Sequence, residues 1–151
     1  MAEHPFRGPV SLRYLDSIQI SKKKYADLME PLCQQYGLTK NELDVILFLS
    51  NNPGWDRAAD IVAMRRIAKS HVSLSVNALE KRGLLLRQFD AADRRAAHLL
   101  LTEAALPIAE EGRALQQRFF QHIFSGLSRE ELSSFGEILL KISNNIENLP
   151  E

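Results

Sequence analysis

Apolar side chains recur every three or four residues along most of the chain, a spacing that predicts amphipathic helices. The first predicted helix runs from about Ser11 to Tyr36 and stops at Gly37. Pro31 lies inside this stretch and is expected to kink or divide the helix. A second helix is predicted over 40–51, because Thr39 and Glu42 form a capping box at its start.

Two shorter helices are predicted next. One covers about 57–65, with Asp56 as its N-cap, and the other runs from Lys69 or Ser70 to Arg82. Two short helices joined by a tight turn are the geometry of a helix-turn-helix.

After the fourth helix the apolar pattern changes to that of β-strands. Apolar runs at 84–89 and 97–101 flank the polar segment DAADRR, which predicts a β-hairpin with a doubly basic tip. A long helix is expected from Thr102 to about Ser125, followed by a last helix that begins at a second capping box. The apolar positions of the last helix alternate spacings of three and four, as in a coiled-coil seam.

The 151 residues suit one domain, and their formal net charge is zero. The charges are nevertheless segregated, because residues 57–95 hold nine basic and four acidic side chains, a net of +5, while residues 96–151 hold four basic and eight acidic ones, a net of −4. A cationic centre indicates an anionic partner. The single cysteine, Cys33, and the lack of a long apolar run favour a soluble, cytoplasmic protein without a membrane span.

The periodicity gives the fourth helix two different faces. Val72, Val76 and Leu79 point in one direction and are expected to face the core. The opposite face carries short polar groups that suit the major groove of double-stranded DNA, where Asn77 can pair with adenine and Leu74 can contact a thymine methyl group. The residues of this helix predicted to contact DNA are Lys69, Ser70, His71, Ser73, Leu74, Asn77 and Lys81.

The hairpin tip carries two adjacent arginines. Arg94 and Arg95 are predicted to reach a minor groove beside the helix, with Asp93 orienting one of them through a salt bridge.

The segment from Ile61 to Ala105 resembles the winged helix-turn-helix core of the MarR family of transcriptional regulators. The matching elements are LEKRGL at 79–84, the D-x-x-D-R-R wing at 90–95 and LTEA at 101–104. The resemblance implies a mainly α fold with a small β-hairpin wing and long N- and C-terminal dimerisation helices.

The same resemblance divides the chain into a helical dimerisation region, residues 1–37 and 103–151, and a winged helix-turn-helix region, residues 38–102. It implies a homodimer that contacts palindromic DNA. Members of the family are commonly repressors, and many release DNA on binding a small phenolic or aromatic compound or on oxidation.

Two positions depart from the family's pattern, while the wing agrees with it. The resemblance makes Arg95 the first candidate for the minor-groove contact. Arg66 stands where many members have a turn glycine, and Leu74 stands where many have an arginine that contacts DNA.

The apolar stripes of the terminal helices are expected to form the dimer interface, although burial within one chain is the alternative. The predicted interface residues are Leu12, Leu15, Phe120, Phe124, Leu132, Phe135, Leu139, Ile142 and Ile146. The candidate walls of an aromatic-effector pocket are Tyr25, Tyr36, Trp55 and Phe119.

Two other functions remain open from the sequence. A winged-helix adaptor would present the hairpin to a protein instead of DNA, and a redox-sensing regulator would use the thiol of Cys33. The spacing of His, Cys and carboxylate residues predicts no metal site, no cofactor is expected, and no catalytic motif is recognised.

Overall fold

The computed structural model describes residues 9–150, with side chains from residue 12 onward. It is mostly helical, and its one sheet in that range is a two-stranded antiparallel hairpin. The elements are α1 (Pro9–Tyr36), α2 (Lys40–Asn51), α3 (Ala58–Arg65), α4 (Lys69–Lys81), β1 (Leu85–Phe89), β2 (Ala97–Leu101), α5 (Leu106–Ile123) and α6 (Arg129–Glu147), with a short 3-10 turn at Glu103–Ala105 before α5. This arrangement confirms the predicted winged helix-turn-helix.

Of the two predicted effects of Pro31, division of the first helix is wrong, because α1 continues through it to Tyr36, while a kink stays a prediction. Pro31 is exposed, so water can satisfy the carbonyl group that loses its amide partner there. Gly37 ends the helix with a φ of +61°, a left-handed conformation that glycine adopts without steric cost. The N–H of Leu38 then donates to the carbonyl of Cys33 at 2.8 Å, which completes the cap.

The predicted capping boxes of α2 and α6 are confirmed, each with a hydroxyl and a carboxylate that bond reciprocally. The predicted N-cap of α3 is wrong. Arg57 occupies that position, and its N–H donates to Asp60 at 3.0 Å. The carboxylate of Asp56 instead bonds the ring of His98 through Oδ1.

The core of the first part of the chain is built around α2, which buries Leu43, Val45, Ile46, Leu47 and Phe48. The helix-turn-helix and the hairpin add apolar side chains to the same cluster, and α5 packs closely on α2 because Gly112 leaves room for Leu47. Further buried contributors include Ile61, Val72, Val76, Leu79, Leu85, Leu99 and Ile108.

The chain forms two compact units, with the boundary between Leu115 and Gln116 inside α5. In the second unit α6 has no buried residue. Its aromatic side chains gather around Phe124, whose ring centroid lies 6.2 Å from that of Phe120 and 5.7 Å from that of Phe135. None of the helices in residues 9–150 is long and apolar enough to cross a bilayer.

Candidate nucleic-acid interface

Helix α4 is anchored by its inner face, as the periodicity predicts. Val72, Ser75, Val76 and Leu79 are buried and fix the rotation of the helix about its axis. The residue before the helix, Ala68, provides no side-chain cap, so the N–H groups of the first turn have no side-chain acceptor from that position.

The turn into α4 passes through Arg66, which has φ 51° and ψ 36°. Among the described residues it is the one non-glycine position with positive φ. The arginine thus adopts the conformation for which a glycine is best suited.

All seven residues of α4 predicted to contact DNA lie on its exposed side. Leu74 is 66% exposed, which is unusual for a leucine and leaves its side chain available to a partner. Their contacts with bases or phosphates stay a prediction.

Sequence reasoning missed the role of Arg87, a residue of β1 that reaches back to α4. Its Nη2 donates to Oδ1 of Asn77 at 2.6 Å, and its Nη1 pairs with the carboxylate of Glu80. Because the donor fixes which end of the amide is the oxygen, the NH₂ group of Asn77 is turned away from Arg87. Opposite charges seven residues apart were visible in the sequence, but their contact depends on how β1 packs against α4.

The hairpin has a regular register, from the pair Leu85↔Leu101 to the pair Phe89↔Ala97. Arg94 and Arg95 are exposed at its tip. The predicted salt bridge of Asp93 is wrong, since its Oδ1 accepts the backbone N–H of Arg95 at 2.9 Å and it joins no ion pair in the described part of the chain. A short carboxylate that bonds the backbone two residues on is typical of a turn.

The base of the wing holds a cluster of four charged or titratable side chains, which the sequence did not reveal. Nδ1 of His98 lies 2.8 Å from Oδ1 of Asp56, and Nε2 lies 3.2 Å from Oδ2 of Asp90. Arg57 Nη2 lies 3.3 Å from both that same Asp90 oxygen and His98 Nε2. The hydrogen bonds with Asp56 and then Asp90 raise the pKa of His98.

A groove of about 330 Å³ lies between the start of α3, α4 and the hairpin. Its lining includes Arg57, Ser73, Val76, Arg87, Phe89 and Arg95. The groove therefore extends from Ser73 on α4 to Arg95 at the tip of the hairpin.

The four candidate effector residues lie outside this groove. Tyr25 and Tyr36 are half-buried against the core, and the hydroxyl of Tyr36 donates to Glu111 at 2.5 Å, a bond that raises the pKa of Tyr36. Trp55 is exposed, and Phe119 lies in the second unit with its ring centroid 5.7 Å from that of Phe120. A pocket walled by these residues stays a prediction.

The predicted interface residues leave apolar surface uncovered in the single chain. Phe124 and Ile142 are half-buried, and the others are exposed. The exposed members are Leu12, Leu15, Phe120, Leu132, Phe135, Leu139 and Ile146.

Cys33 is 5% exposed and belongs to the core cluster. Burial is the largest cause that raises its pKa, followed by the negative charge of Glu30. A low thiolate population and little access are typical of a packing cysteine.

Comparisons with known proteins agree with this geometry. Residues 36–96 match the model of the MarR family. A MarR-family regulator from Silicibacter pomeroyi has a similar structure, with a TM-score of 0.77, 19% identity and 94% of each chain covered.

Two further solved structures are similar. MepR of S. aureus, solved as a DNA complex, gives a TM-score of 0.71 at 20% identity and covers 87% of this chain and 97% of its own. BpsR of Bordetella bronchiseptica, whose DNA binding is regulated by 6-hydroxynicotinic acid, gives 0.65 at 23% identity and covers 87% of this chain and 98% of its own. At such identities the likeness shows the fold.

Proposed function

We propose that this chain is a transcriptional repressor of the MarR family which binds palindromic DNA as a homodimer, a proposal supported by the match of residues 36–96 to the model of that family. The observation that carries the proposal is the pairing of an exposed, polar α4 face with a wing whose two tip arginines, Arg94 and Arg95, are exposed. A helix in a major groove and a basic wing in the neighbouring minor groove use the two halves of this surface.

The start of α4 supports a phosphate contact. Its first turn is not capped by Ala68, and Lys69 adds a positive charge at the same end. Free N–H groups at a helix N-terminus attract anions. This contact would fix the register of α4 on the duplex without reading its sequence.

The dimer is supported by the uncovered apolar side chains of α1, the end of α5 and α6. Two copies would place two recognition helices on half-sites about 34 Å apart. The MepR structure, a complex with DNA, is consistent with this function.

Release of DNA by a small aromatic compound is the regulatory part of the proposal. Its support is the regulation of BpsR by 6-hydroxynicotinic acid. Tyr25, Tyr36, Trp55 and Phe119 remain the candidate walls of the effector site.

The test is DNA binding by the purified protein, first by selection from a random duplex library and then by fluorescence anisotropy at two salt concentrations. Arg95→Ala is expected to weaken binding by about 1–3 kcal/mol if it reads a base edge. Arg113→Ala removes an exposed arginine of α5 outside α4 and the hairpin, and it serves as the matched control.

The competing function is an adaptor that binds protein through the hairpin. It is favoured by the cross-strand pair Leu86 and Leu100, which are 57% and 41% exposed. An adaptor would show no salt-sensitive binding to any duplex, and Arg95→Ala would then change nothing in the DNA assay.

A further inference from the structure

The ring of His98 joins three separate places in the chain. Asp56 precedes α3, Asp90 is the first residue after β1, and His98 itself lies on β2. Asp90 also begins the tip that carries Arg94 and Arg95. The ring thus connects the helix-turn-helix to both sides of the base of the wing.

The bonds of this ring depend on its protonation. Only an imidazolium has N–H donors on both nitrogens, which allows it to bond Asp56 and Asp90 at the same time. A neutral ring that donates Nδ1–H to Asp56 presents a lone pair at Nε2, where Arg57 can donate but the carboxylate of Asp90 is repelled. Asp90 is then held by Arg57 alone.

Charge balance also favours the protonated ring. With His98 protonated, two cations face two carboxylates, whereas the neutral ring leaves one negative charge in excess. The charged groups that face the ring nitrogens are Asp56 and Arg57 from the α2–α3 side and Asp90 from the wing. Arg57 cannot bond the protonated Nε2, and its positive charge 3.3 Å from that nitrogen is opposed by the two carboxylates.

We propose that His98 is a positioning residue that ties the wing tip to the helix-turn-helix through Asp56 and Asp90, and that protonation of its ring strengthens this tie and the DNA contact of the wing. The proposal rests on the proposed DNA-binding function. A tip held in one place loses less conformational freedom when it enters a groove, which improves affinity without any contact from His98 to DNA.

The direction of the pH effect follows from the raised pKa of His98. A raised pKa in the folded state means that the tie is complete below the ordinary histidine value of about 6.5 and is lost as pH rises through the higher folded value. Wing-dependent affinity is therefore expected to fall with rising pH across that window.

The first experiment needs no DNA. NMR titration of the His98 ring in the full chain should give a pKa above the ordinary value, and Asp90→Asn should lower it. Backbone relaxation at residues 91–94 should show a more mobile tip at high pH. A ring that titrates at the ordinary value, or a tip whose mobility ignores pH, overturns the proposal.

The second experiment compares the DNA affinity of the wild type and His98→Gln between about pH 5.5 and about pH 8.5 at constant ionic strength. At the acid end the wild type should bind DNA about fivefold more tightly than His98→Gln. The ratio of the two affinities should approach one at the alkaline end. The same decline is expected in a His71→Gln background, which removes the histidine on the exposed face of α4 and leaves His98 in place.

When Arg94 and Arg95 are both alanine, His98→Gln should no longer change the affinity at any pH, since the tie acts through these two arginines. A pH-independent ratio, or one that persists without the arginines, contradicts the proposal. Asp90→Asn provides a second test variant, because it removes the charge of Asp90 and leaves the side-chain shape nearly unchanged. The 2.7 Å bond from the N–H of Leu99 to the carbonyl of Asp56 still joins β2 to the segment before α3. If the wild type binds no duplex, the proposed function fails, whereas the ring titration still tests the tie.

Discussion

At the scale of the residue, Arg66 departs from its usual backbone preference. It ends α3 in the left-handed region, and its exposed side chain has no packing that would explain an arginine there. A non-glycine residue in this conformation costs about 1 kcal/mol or more. The turn between α3 and α4 therefore carries a local strain that the surrounding core maintains.

Arg66→Gly is expected to raise the free energy of unfolding by about 0.5 kcal/mol, because relief of this strain exceeds the added freedom of the unfolded chain. Ala63→Gly, at an exposed position inside α3, is the matched control and should lower it by about 1 kcal/mol. Urea unfolding of both variants measures the difference. Equal losses for the two glycines would contradict the assignment of strain to Arg66.

At the scale of the element, α4 and β1 act together through Arg87. The bond to Asn77 holds one amide of the exposed face in a single orientation, and the pair with Glu80 holds Arg87 itself. A fixed amide discriminates between bases better than one that rotates, because a wrong base leaves its hydrogen bonds unmade. Arg87 is thus expected to affect specificity without reaching the DNA.

Arg87→Met should relax discrimination at the same base pair as Asn77→Ala, and the double variant should lose less than the sum of the two. Arg94→Met removes one positive charge at the wing tip and should weaken all sequences about equally. Competition binding with single-base variants of the selected duplex separates these patterns. Relaxation at different base pairs would show that the two side chains work independently.

Local signals in the sequence predicted the elements well, since capping boxes, Gly37 and the change of period are features of neighbouring residues. These local signals did not predict the hydrogen bonds between side chains at the candidate site. The tie between His98 and Asp56 joins residues 42 positions apart, and only the packing of the hairpin against the start of α3 brings them together. The predicted division of α1 at Pro31 is wrong for a related reason, because the effect of a proline depends on which side of the helix meets water.

At the scale of the whole molecule, the apolar side chains of α6 remain largely exposed within their own unit. Leu132, Phe135 and Leu139 recur at spacings of three and four and lie on one side of the helix. A second copy of the chain would remove this surface from water. Dimerisation would also join two copies of the proposed DNA-binding surface in one particle.

Leu139→Glu is expected to weaken dimerisation about a hundredfold, because it places an unpaired carboxylate in an apolar interface. Ser134→Glu adds the same charge on the opposite side of α6 and should leave the dimer intact. Sedimentation velocity over a range of protein concentrations measures both. The loss should also appear on DNA, where the slope of log affinity against log salt falls to about half as one set of phosphate contacts is lost. A Leu139→Glu protein that still sediments as a dimer would place the interface elsewhere on the chain.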